Sequence, residues 1–142
     1  MSELIKDELF GSLKYDVNLR WYLGQVEFSP GHRVELSISV EGVDPYAAIQ
    51  RARQTFPRVQ SREAELRRAA AREKLALYND QWSEGEKIDA NEFMRRIALS
   101  SVTIHPEGEV QLWYADGNLF AGHWIAVSTD SELQFQHVEI AG

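Results

Sequence analysis

The chain has 142 residues, no cysteine and a net charge of −7, with 44% hydrophobic, 11% aromatic and 26% charged residues. This length fits one domain that buries roughly two-thirds of its unfolded surface, whereas two independent cores would each be marginal. The missing cysteine excludes a disulfide framework, a thiolate zinc site and a cysteine nucleophile, and the acidic balance argues against a nucleic-acid partner.

The opening segment "MSELIKDELFGSLKYD" carries Glu3, Lys6, Asp7 and Glu8, so it lacks the apolar core of a signal peptide. No stretch approaches the roughly 18 apolar residues of a membrane span. A cytoplasmic location with no membrane partner is the expectation. Strands then follow. "FGSLKYD" places Phe10, Leu13 and Tyr15, "RWYLGQVEFS" places Trp21, Leu23, Val26 and Phe28, and "HRVELSISVEG" alternates Val34, Leu36, Ile38 and Val40 with Glu35, Ser37, Ser39 and Glu41. A period of two marks half-buried strands. Pro30-Gly31 between the last two runs predicts an antiparallel hairpin.

At Asp44 the pattern changes: Asp44 is a candidate N-cap, Pro45 suits the first helical position, and Pro57 limits where that helix ends. A second helix is expected over "VQSREAELRRAAAREKLALYNDQW", with Val59, Leu66, Ala70 and Leu77 in one apolar stripe that Leu75, Tyr78 and Trp82 widen. Its arginines read as a solvated face. A short third helix starts at Asp89, where Glu92 gives capping-box spacing before Phe93, Met94 and Ile97. The remainder splits at Pro106-Glu107-Gly108, Asp116-Gly117 and Thr129-Asp130-Ser131 into four short strands. In the third of these, Phe120, Gly122, Trp124 and Ala126 fall on one face and Ala121, His123, Ile125 and Val127 on the other. The expected architecture is therefore a single α+β domain over residues 1–142. Strands span about 8–42, helices about 44–98 and strands again about 100–141, in the order βββ-ααα-ββββ, with helices packed on one face of an antiparallel sheet of about six to seven strands.

Templates for catalysis are scarce. The chain has no Gly-x-Ser-x-Gly, Walker loop, Gly-x-Gly-x-x-Gly or His-Glu-x-x-His. His32, His105, His123 and His137 all fall in β regions, and a final hairpin centred near Asp130 and Ser131 would bring His123 close to His137. Without His-x-His or His-x₃-His spacing, no metal site or cofactor is expected. Asp116 with Glu109, and Asp130 with Glu132, lie beside turns, where Asp side chains commonly bond backbone amides. The aromatics are more informative. Because adjacent strand positions point to opposite faces, Trp21-Tyr22 and Trp113-Tyr114 must each send one ring away from the helices. Trp21, Trp113, Tyr114, Phe120 and Trp124 are thus candidate binding residues, and His123 with Asp116 the candidates for catalysis.

The segments "LFGSLKYDVNLRWYLGQVEF" and "DGNLFAGHWIAVSTD…VEIAG" resemble a bacterial family, domain of unknown function 2262, through Phe10, Gly11, Leu13, Trp21, Gly24, Asp116, Gly117, Leu119, Phe120, Gly122, His123, Ala141 and Gly142. The resemblance covers essentially the whole chain and implies no particular activity. It departs at "SELQFQ", where a glycine-containing turn is expected. The family's small, acidic character is similar to that of immunity proteins from toxin loci. The leading expectation is a non-enzymatic interaction protein that binds another protein, such as a toxin, through an acidic and aromatic surface. The alternatives are an enzyme or small-ligand binder around His123, and a homodimer whose interface hides the aromatics.

Overall fold

A computed structural model describes residues 4–142. Four strands come first, β1 (Leu4–Asp7), β2 (Gly11–Asp16), β3 (Trp21–Ser29) and β4 (His32–Ser39), each antiparallel to the one before. The helix α1 (Pro45–Leu77), a π-helical turn (Tyr78–Trp82) and the helix α2 (Ala90–Arg96) lead to β5 (Ala98–Ile104), β6 (Val110–Ala115), β7 (Trp124–Thr129) and β8 (Phe135–Ala141). All eight strands lie in one sheet, in sequence order. Because the helices carry the chain back across the sheet, β5 pairs with β4 in parallel, and every other pairing is antiparallel. The protein is an α+β, mostly antiparallel sheet, as expected, but the order is four strands, two helices, four strands.

Two physical reasons account for the difference. The first strand is a four-residue edge strand, too short to show a period of two in sequence. Pro57 does not end a helix but lies inside α1, which runs for 33 residues. An internal proline forfeits one backbone bond and strains the preceding turn, at a cost of about 3 kcal/mol. Here the apolar stripe continues on both sides of it through Ala52, Phe56, Val59, Leu66 and Ala70, all buried, and that packing outweighs the local penalty. Asp44 caps α1 by accepting from Ala47 N, and Asp89 caps α2 by accepting from Glu92 N.

One face of the sheet lies under these helices. It carries Tyr22, Val26 and Phe28, Leu36 and Ile38, Val102 and Ile104, Leu112 and Tyr114, and Ile125 and Val127, all buried. Phe56 meets Phe10 and Phe28 edge-on at 5.6 and 5.8 Å. Along β3 the ladder is unbroken from Trp21 to Glu27, so Trp21 and Leu23 face away from Val26 and Phe28.

At the sheet edge Asp7 fastens the β1–β2 turn to α1. Its side chain is fully buried, accepts from Leu9 N and Phe10 N, and pairs with Arg53. Burial pushes the Asp7 carboxyl up, but the Arg53 hydrogen bond, the two amides and the Arg53 charge outweigh it and hold it below its ordinary value of 3.8. A lowered carboxyl contributes stability that is complete above the unfolded value and disappears as pH falls through the folded one. Arg53→Ala leaves burial as the dominant influence, so acid unfolding followed by circular dichroism is expected to start at a higher pH than in the wild type. Coincident acid transitions would show that Arg53 does not hold this carboxylate.

Candidate functional site

Asp116 directly follows β6 and organises the loop that begins there. Asp116 is 4% exposed, and its carboxylate accepts from Asn118 N, Phe120 N and Gly122 N at 2.8–3.0 Å. To converge on it, the backbone turns left-handed at Gly117, Asn118, Ala121 and Gly122. A Cβ at Gly117 would lie 2.3 Å from the Arg96 carbonyl oxygen, so Gly117→Ala is expected to cost about 2 kcal/mol, read as a lower urea midpoint. An unchanged midpoint would mean the loop shifts freely. β7 consequently begins at Trp124, not at Phe120. Phe120, Ala121 and Gly122 belong to the loop, so the strand-face assignment holds only from Trp124 onward.

The candidate catalytic pair is committed elsewhere. Asp116 spends its carboxylate on backbone amides. The Nδ1 of His123 bonds the Phe120 carbonyl, Trp82 meets its ring edge-on at 5.6 Å, and Gly142 lies against its Cδ2 and Nε2. His123 is therefore a half-buried packing residue tying the loop to the last strand. Nor does it meet His137, which faces Ser128 while Trp124 faces Ala141. The last hairpin closes between Thr129 and Phe135, with Leu133 left-handed where a glycine was expected, so its centre lies later than Asp130–Ser131. Asp130 serves that turn by accepting from Glu132 N and Gln134 N. His32 bonds the Leu99 carbonyl and His105 contacts Gln111. Among the described residues, no three His, Asp or Glu side chains group as metal ligands would.

Of the five candidate binding aromatics, two are internal. Phe120 is fully buried among Trp82, Tyr78 and Phe93, with ring centroids at 5.4, 5.9 and 6.1 Å. Tyr114 is equally buried, and its hydroxyl donates to Glu63 Oε2 at 2.7 Å. Burial first, then the Glu63 charge, pushes that hydroxyl well above the ordinary tyrosine range, with Arg67 opposing. Tyr114 is thus a fixed donor at neutral pH. Glu63 also accepts from Arg67 Nε at 2.8 Å. Arg67 in turn donates to the carbonyls of Met94 and Ile97 and stacks over the Tyr114 ring at 5.2 Å. The i, i+4 spacing of Glu63 and Arg67 is a readable pairing signal, but their burial beneath α2 is not.

Trp21, Trp113 and Trp124 occupy the helix-free face. Register places Gln25, Glu35, Ser101, Trp113, Ala126 and Glu139 in one row across six strands. Trp113 therefore rises from small neighbours with a carboxylate on either side. Trp124 is 44% exposed and lies between Ala115 and Ala141, on the diagonal from Trp113. Trp21 faces Ser39, and its Nε1 is shielded from solvent with no hydrogen-bond partner among the described residues.

These features define an open-faced α+β sheet protein, with helices on one side and tryptophans among small and acidic residues on the other. Residues 7–140 match the family described as "Uncharacterized protein conserved in bacteria (DUF2262)", and the chain belongs to that family. No curated protein and no solved structure matches it.

Proposed function

We propose that the protein is a non-enzymatic binding module whose helix-free sheet face docks a basic protein, in the manner of an immunity protein docking a toxin. The observation that carries this reading is a half-buried Trp113 beside an exposed Trp124 on a floor of small residues, since large rings on an uncovered face are the usual anchors of interfaces. Charge supports a basic partner. Helix α1 holds eight of the fifteen Lys and Arg and three of the twenty-two Asp and Glu, leaving seven against nineteen for the rest of the chain. Glu35 and Glu139 stand in the Trp113 row itself. The acidic excess outside α1 attracts a cationic surface at long range, and the rings add the desolvated contact. His123 and Asp116 have no chemical role in this reading, because both are held by the Asp116 loop.

Affinity capture from the source cells tests it, comparing the wild type with a Trp113→Ser/Trp124→Ser double variant. The expected outcome is one basic partner, retained by the wild type, lost with the double variant and released by moderate salt. Identical captured sets would contradict the reading. A dimer in light scattering that the double variant abolishes would replace the foreign partner with a second copy of the chain.

A further inference from the structure

Beside the Asp116 loop, the end of the long helical segment, α2 and the loop border an open cavity of about 330 Å³, lined by Tyr78, Trp82, Glu84, Arg96, Asn118 and Leu119 among others. The volume is at the small end of metabolite sites. Its walls use unusual backbone. Tyr78–Trp82 is π-helical, and Asn118 and Ala121 have φ of 65° and 57°. Both features cost free energy and tend to collect where a ligand is held.

The lining groups lack partners in a consistent way. Glu84 forms no ion pair or hydrogen bond through its carboxylate among the described residues, and Arg96 donates only to the Gly117 carbonyl, at 3.3 Å. The two opposite charges share one cavity without bridging it. Tyr78 is 9% exposed, and its hydroxyl has no hydrogen-bond partner among the described residues. Trp82 and the buried Leu119 supply apolar wall. Arg96 suits a carboxylate, because guanidinium donors match its two oxygens. Glu84 suits an ammonium group. The geometry points to a site for a small amino-carboxylate zwitterion, an α-amino acid with an apolar side chain, with Arg96 on its carboxylate, Glu84 on its ammonium group and Trp82 and Leu119 against its side chain. This site is separate from the tryptophan face, so either assignment can fail without the other.

Titration of the full chain with L-leucine and L-phenylalanine, followed by backbone amide shifts and calorimetry, tests the assignment. The single-charge controls are 3-phenylpropionate and 2-phenylethylamine. Shifts confined to residues 78–84, 96 and 117–122 are expected, with each control binding at least about tenfold more weakly than L-phenylalanine. Glu84 is exposed and its carboxylate makes no ion pair or hydrogen bond among the described residues, so Glu84→Gln keeps the fold; it is expected to weaken L-phenylalanine about tenfold and leave 3-phenylpropionate unchanged. Tyr78→Phe, which removes one hydroxyl, gives a second, smaller loss. The assignment is overturned if neither amino acid shifts these residues, if a single-charge control binds as tightly as L-phenylalanine, or if Glu84→Gln binds like the wild type.

Discussion

Replacing Phe120 by alanine is expected to lower the unfolding free energy by about 3–5 kcal/mol, the range for emptying a large aromatic site in a packed core. Phe120 is 0% exposed, and its ring is the common contact of Trp82, Tyr78 and Phe93. Those three come from the π-helical turn and α2, so the cavity would open between the helices and the loop. Collapse would be limited, because the loop backbone is pinned by the Asp116 carboxylate. Against a typical total of about 5–15 kcal/mol, this is a large fraction of the stability. Urea unfolding measures it. A loss below about 1 kcal/mol would mean that the rings do not close around Phe120 as described.

Arg67→Ala is the second large change, with an expected loss of about 3 kcal/mol, since removing one member of a buried pair strands the other. Arg67 holds Glu63, the carbonyls of Met94 and Ile97 and the Tyr114 ring together. Without it, Glu63 keeps only the Tyr114 hydroxyl among the described residues, in a setting where the Glu63 side chain is 15% exposed. A Glu63→Ala/Arg67→Ala double variant is expected to lose less than the sum of the two single losses, because the stranded charge is gone. Additive losses in a double-mutant cycle would show that the two residues do not act as one unit.

These cases show where the sequence was readable. Alternation identified the longer strands, and Asp44-Pro45 and Asp89 identified both helix starts, because these signals are local. Pro57 misled, since its local cost is exceeded by a stripe of buried residues that only the sheet beneath makes valuable. Asp116-Gly117 was legible as a turn, yet the carboxylate's hold on amides as far as Gly122 was not. A six-residue loop wrapped around one side chain leaves no periodic signature. The same wrapping moved Phe120 from a surface candidate into the core and gave His123 a structural task. The outward direction of Trp21 and Trp113 was legible because period-two alternation forces one of two adjacent aromatics away from the helices. The cavity groups Tyr78, Glu84 and Arg96 come from separate elements, and no spacing in the chain links them.

The central claim is that a protein partner covers the tryptophan face, and side-chain oxidative labelling tests it most directly by comparing the free chain with the captured complex. The predicted result is that Trp113 and Trp124 are labelled in the free chain and protected in the complex, while Tyr46, 71% exposed at the start of α1, is labelled equally in both. Equal labelling of Trp113 and Trp124 in the free chain and the complex would contradict it.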